Sequence, residues 1–97
     1  MKLEQKKIEK IKDYLSKCPV EKAWLFGSYV HEEANRNSDI DLLLDLDYSK
    51  RIGLKFVQMK LDLEEMLGQE VDLVSSNGLS KYIKPFIDKE KLLIYER

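Results

Sequence analysis

Ser38 to Asp47 reads Ser-Asp-Ile-Asp-Leu-Leu-Leu-Asp-Leu-Asp, and its even positions, Ile40, Leu42, Leu44 and Leu46, are all apolar. Asp39, Asp41, Asp45 and Asp47 share the odd register. A period of two is the signature of a strand, so Ile40, Leu42 and Leu44 face a core while Asp39 and Asp41 face the other side. Aspartate is depleted in strands, so two of them in one register call for a reason. Residues i and i+2 of a strand lie roughly 6–7 Å apart, close enough for both carboxylates to reach one cation. Without a cation the two charges repel, and burial drives one of them to take up a proton. An oxygen-only ligand set favours magnesium or manganese over zinc.

Upstream, Lys22 to Phe26 has the composition of a strand and runs into Gly27-Ser28. A glycine there lets backbone N–H groups approach phosphate oxygens, and the Ser28 hydroxyl adds a donor. A short helix beginning near Tyr29 and reaching Ala34 would add its dipole for the same anion. Asp72, in Val71-Asp72-Leu73-Val74, is a third carboxylate with strand-like apolar neighbours. Three carboxylates and a Gly-Ser turn suit a nucleoside triphosphate held on divalent metal.

Phe26-Gly27-Ser28 followed by Ser38-Asp39-Ile40-Asp41-Leu42-Leu43 resembles the signature of the DNA polymerase beta-like nucleotidyltransferase superfamily. In so short a chain the resemblance is to its minimal nucleotidyltransferase (MNT) group, and it extends to Asp72 where that group carries a third carboxylate. The resemblance implies a polymerase beta-like α/β (α+β) fold, a small mixed sheet with helices on one face and the carboxylate site on the other. It implies Asp39, Asp41 and Asp72 as catalytic and metal-holding residues, with Gly27 and Ser28 binding the nucleotide phosphates. Mg2+, as one or two ions, is the implied cofactor and ATP the implied substrate. The implied acceptor is a HEPN-domain ribonuclease toxin, silenced by AMPylation of a tyrosine, which makes this chain an antitoxin. One departure stands at His31-Glu32, where the group usually carries a basic residue and then glycine; Glu32 puts negative charge near the expected triphosphate. The alternative it raises is a binding module that neutralises the toxin by contact alone.

Length and charge narrow the field further. The 97 residues are expected to form one domain, 1–97, with a single core. A net charge of -1, with both signs spread along the chain, argues against direct nucleic-acid binding through a basic face. Cys18 is the single cysteine, which fits a reducing cytoplasm. No apolar run approaches the roughly 20 residues that span a bilayer, and the charged N-terminus is no signal peptide.

The remaining chain punctuates itself. Ile8, Ile11, Leu15 and Cys18 predict a helix over Leu3–Lys17, stopped by Pro19. Asn35 to Ser38 reads as a turn and Asp47 to Gly53 as a loop, with Asp45, Asp47, Lys50 and Arg51 as solvated charges. Leu54 to Leu67 predicts a second helix capped by Gly68. Its apolar arc is wide enough that part of it, among Phe56, Met59 and Leu63, is expected to remain as a contact surface. Glu70 to Val74 predicts a strand, Ser75 to Gly78 a turn, Leu79 to Lys89 a helix or a broken pair of helical turns because Pro85 can only open a helix, and Leu92 to Tyr95 a closing strand. Trp24 is expected in the core.

Overall fold

The computed structural model describes residues 3–30 and 39–97. The expected helix from Tyr29 to Ala34 and the turn from Asn35 to Ser38 fall largely outside these residues, as does the departure at His31-Glu32. The order is α1 (Gln5–Leu15), β1 (Val20–Phe26), β2 (Ile40–Leu46), α2 (Lys55–Leu67), β3 (Val71–Ser75), α3 (Lys84–Glu90) and β4 (Leu92–Glu96). Single 3-10 turns lie at Gly27–Tyr29 and Ser76–Gly78.

The four strands form one sheet in the order β3-β2-β1-β4. β1 pairs antiparallel with both β2 and β4, whereas β2 and β3 run parallel. The parallel pair needs a crossover, and α2 supplies it. This is the expected α+β fold with a mixed sheet.

The even residues of β2 behave as their alternation predicts: Ile40, Leu42 and Leu44 are fully buried. They meet Ile11 and Leu15 of α1, Met59, Leu63 and Leu67 of α2, and Ala23 and Leu25 of β1 in one core cluster. Each helix presents a three-and-four-residue stripe to the sheet, which is why these two elements form where they do. Polar contacts fasten the helices together: the Tyr14 hydroxyl donates to Asp62 at 2.5 Å, and the Lys7 ammonium donates to Gln69.

α2 ends as expected at Gly68, whose φ of 67° closes the helix in the left-handed region. Glu64 then accepts the Val71 N–H at 3.0 Å and the Lys60 ammonium at 2.8 Å, tying the end of the helix to the start of β3.

Several expectations need correction. Met59 and Leu63 are fully buried and Phe56 packs partly against the core, so the exposed apolar row of α2 is Leu54, Val57 and Leu61. The reason is helical phase: the sheet lies under the row through Met59, Leu63 and Leu67. Trp24 is half-buried on the carboxylate side, paired across the sheet with Leu43, and the Lys91 ammonium sits 4.3 Å from its ring centre. Asp47 is not a solvated loop charge; it is buried, accepts from Ser49, and pairs with Arg97 at 2.8 Å. Asp45 lies within β2 and accepts the Ser76 hydroxyl at 3.2 Å. Of the two forms expected for Leu79 to Lys89 the broken one is found: a single turn, in which the Ile83 and Lys84 N–H groups both donate to the Ser80 carbonyl, precedes α3, which Pro85 opens.

Candidate functional site

The site lies where β1 ends and β2 and β3 begin. Phe26 is the cross-strand partner of Asp41, and Asp41 is the partner of Asp72. One row across three strands therefore carries the Gly27 turn, Asp41 and Asp72. Pleating sends Asp41 and Asp72 to the face opposite Leu42 and Leu73, which pack in the core.

Gly27 has φ 78°, a left-handed conformation that side chains rarely adopt. A Cβ placed there would lie 2.2 Å from the Asp41 Oδ2, so glycine is needed on both backbone and steric grounds. The chain turns tightly against the carboxylate because glycine leaves that space to the Asp41 oxygen.

Asp72 lies close enough to Asp41 to act on it through both its charge and side-chain hydrogen bonding. Partial burial, with the charges of Asp72 and Asp39 beside it, pushes the Asp41 carboxyl up to about 6. Asp39 precedes β2 and hydrogen-bonds to Glu70, whose carboxyl is raised mainly by that contact. Of the three carboxylates read from the sequence, Asp72 is the cross-strand partner of Asp41, and Asp39 acts on both Asp41 and Glu70. Among the described residues no three such groups converge into a ready-made cation cage. Ser28 lies in the 3-10 turn beside Gly27, where its backbone follows the site.

A fourth acidic group enters from the far end of the chain. Glu90, the last residue of α3, accepts the Gly27 N–H at 3.3 Å and adds its charge to the field on Asp41. α3 thereby reaches the carboxylate side of the sheet, and its Ile87 is buried outside the main core cluster, as is Leu43 of β2. Nothing local in the sequence marks Glu90, because its partner is 63 residues away.

The donor set fits a hard divalent cation. Two neighbouring carboxylates repel each other, and a cation set between them relieves that repulsion. All the side-chain donors are oxygens.

The model of the "Polymerase beta, Nucleotidyltransferase" family matches residues 9–97. A candidate protein adenylyltransferase of Methanocaldococcus jannaschii is 40% identical over 81 residues, which span 84% of this chain and 86% of that one. The protein adenylyltransferase MntA of Thermococcus cleftensis is 34% identical over 83 residues, spanning 86% and 83% of the two chains. Among solved structures, a candidate minimal nucleotidyltransferase superposes with a TM-score of 0.78 at 28% identity, covering 91% of this chain and 89% of that one. A tri-AMPylated HEPN toxin of Shewanella oneidensis in complex with its MNT antitoxin matches in fold, with a TM-score of 0.74 at 20% identity over 98% of this chain and 74% of that one.

Proposed function

The chain belongs to the polymerase beta nucleotidyltransferase family, and we propose that it transfers AMP from ATP to a tyrosine hydroxyl of a HEPN-domain toxin, acting as the antitoxin of that pair. The observation that carries this reading is the row Gly27, Asp41, Asp72, which sets two carboxylates beside a tight glycine turn. Relatives named protein adenylyltransferases, alike over more than four-fifths of both chains, support the reaction class. The partner is supported by shared fold with the Shewanella complex.

In this reading Asp41 and Asp72 would hold magnesium, with Asp39 as the third carboxylate. When bound, magnesium neutralises the triphosphate and makes its α-phosphorus more electrophilic. The Gly27 N–H binds a phosphate oxygen after displacing Glu90, and Ser28 adds a donor from the same turn. Asp72, the more exposed carboxylate, accepts the proton of the attacking hydroxyl. The new bond forms between the acceptor oxygen and the α-phosphorus, the bond to the β-phosphate oxygen breaks, and pyrophosphate leaves. The whole of 1–97 acts as one domain, in the cytoplasm, where a buried free thiol such as Cys18 stays reduced. No helix among the described residues is long and apolar enough to cross a membrane.

The test is ATP labelled in its α-phosphate, magnesium and a HEPN-domain toxin. Label should appear on a toxin tyrosine with the wild-type chain and vanish with Asp41→Asn. An unlabelled toxin that both forms still silence would establish neutralisation by contact instead.

A further inference from the structure

At the end of the sheet away from the carboxylates, Lys17, Lys50, Arg51, Lys55 and Arg97 line an open cavity of about 360 Å³ together with Ser16, Cys18 and Pro19. Asp47, at this end, is six residues along the extended β2 chain from Asp41, a separation of about 20 Å. Five of the 17 basic residues therefore gather at one corner of a chain whose net charge is -1. We infer that this cavity is a second, metal-independent site that binds a polyphosphate anion.

The backbone that carries these cations is held in place. The Asp47 N–H donates to the Pro19 carbonyl at 2.9 Å, and the Lys50 N–H donates to the Asp47 carbonyl at 3.1 Å. The Ser49 N–H and hydroxyl both donate to the Asp47 carboxylate, so the loop carrying Lys50 and Arg51 is wound around a buried anchor. Arg97 is fixed as one wall, with one guanidinium nitrogen on Asp47 at 2.8 Å and the other on the Cys18 carbonyl at 3.1 Å.

The acidic groups facing the cavity are already engaged. Asp47 serves Arg97 and Ser49, Asp13 pairs with Lys17 at 3.6 Å, and Asp62, which acts on Lys55 through space, accepts from Tyr14 and Gln58. Among the described residues Lys50, Arg51 and Lys55 form no ion pair. Lys50 and Arg51, with Lys55 offset only through space by Asp62, call for more than one negative charge, and linked phosphates supply several within a few ångströms. The volume falls in the range of small-molecule sites. Two sources share this chemistry: a free polyphosphate such as pyrophosphate, and the phosphates of a single-stranded oligonucleotide.

The test is calorimetric titration of the full chain with inorganic pyrophosphate and, separately, with a short single-stranded RNA. EDTA keeps the carboxylate site out of play, and ionic strength near 0.15 M suppresses diffuse attraction. At least one ligand should bind saturably, Lys50→Glu and Arg51→Glu should each weaken it tenfold or more, and Asp41→Asn should not. Binding by pyrophosphate, or by RNA that pyrophosphate displaces, assigns a polyphosphate pocket; binding by RNA alone assigns a backbone-phosphate site. No saturable binding of either ligand, or binding indifferent to both charge reversals, overturns the inference. Because nucleotide transfer plays no part, the result stands or falls apart from the proposed reaction.

Discussion

The Asp41 Oδ2 occupies the space that a Cβ on Gly27 would fill, 2.2 Å from its ideal position. The carboxylate and the turn are thus one fitted unit. Gly27→Ala should lower stability by about 1–2 kcal/mol from the left-handed φ alone, and more from the clash. Asp41→Ala removes the carboxylate, so the Gly27→Ala and Asp41→Ala pair should be less destabilised than the sum of its parts by at least about 0.5 kcal/mol. A denaturant double-mutant cycle measures this, and strict additivity would show that the two residues do not compete for space.

Asp41 and Asp72 repel without a cation, so they should serve activity at a cost to the metal-free fold. Asp72→Asn is expected to leave the melting temperature in EDTA unchanged or raised. The same change should cut nucleotide transfer roughly a hundredfold, about 3 kcal/mol of transition-state stabilisation. Thermal melts and transfer rates on one preparation check both halves, and a variant that loses both together points to a structural role.

Asp47 gives the fold a dependence on acid. Its hydrogen bonds from Ser49, with the Arg97 guanidinium beside it, hold its carboxyl down at about 2. A carboxyl lowered on folding stabilises the protein above its unfolded value near 4, and that stabilisation is lost as pH falls toward the folded value. Wild type should therefore exceed Asp47→Asn in stability at pH 5 and above. The difference should shrink between about pH 4 and pH 2, as urea titrations across that range would show.

The two sides of α2 should respond differently to mutation. Met59→Ala or Leu63→Ala opens a cavity in the core and should cost about 2–5 kcal/mol. Leu61 is 53% exposed, so Leu61→Glu should fall within about 0.5 kcal/mol of wild type. Equilibrium unfolding separates the cases, and a large loss for Leu61→Glu would place that residue in the core.

What could be read from the residues was what local periodicity carries. The alternation around Ile40 announced β2 and its two faces, and Gly68 announced the end of α2. The phase of α2 was harder to read: an apolar arc on both flanks does not say which row the sheet will cover, and Leu61 rather than Leu63 proved to be outside. Asp72 was legible only through its family-like setting, because parallel pairing joins it to Asp41 across 31 intervening steps. Glu90 on Gly27 and Arg97 on Asp47 could not be foreseen at all. Their partners lie 63 and 50 residues away, and tertiary closure alone decides them.

The short link from Gly68 to Val71 also limits how such a protein can change its length. The Ile40 N–H donates to the Glu70 carbonyl at 2.9 Å, and Glu64 holds the Val71 N–H, so β3 enters the sheet in a locked register. A single inserted residue here would rotate Asp72 toward the helices and bring Val71 or Leu73 out in its place. One added at the exposed positions Lys50 or Arg51 would merely lengthen a loop. Tolerance to insertion should therefore be strongly asymmetric about α2: permissive before it, forbidden after it.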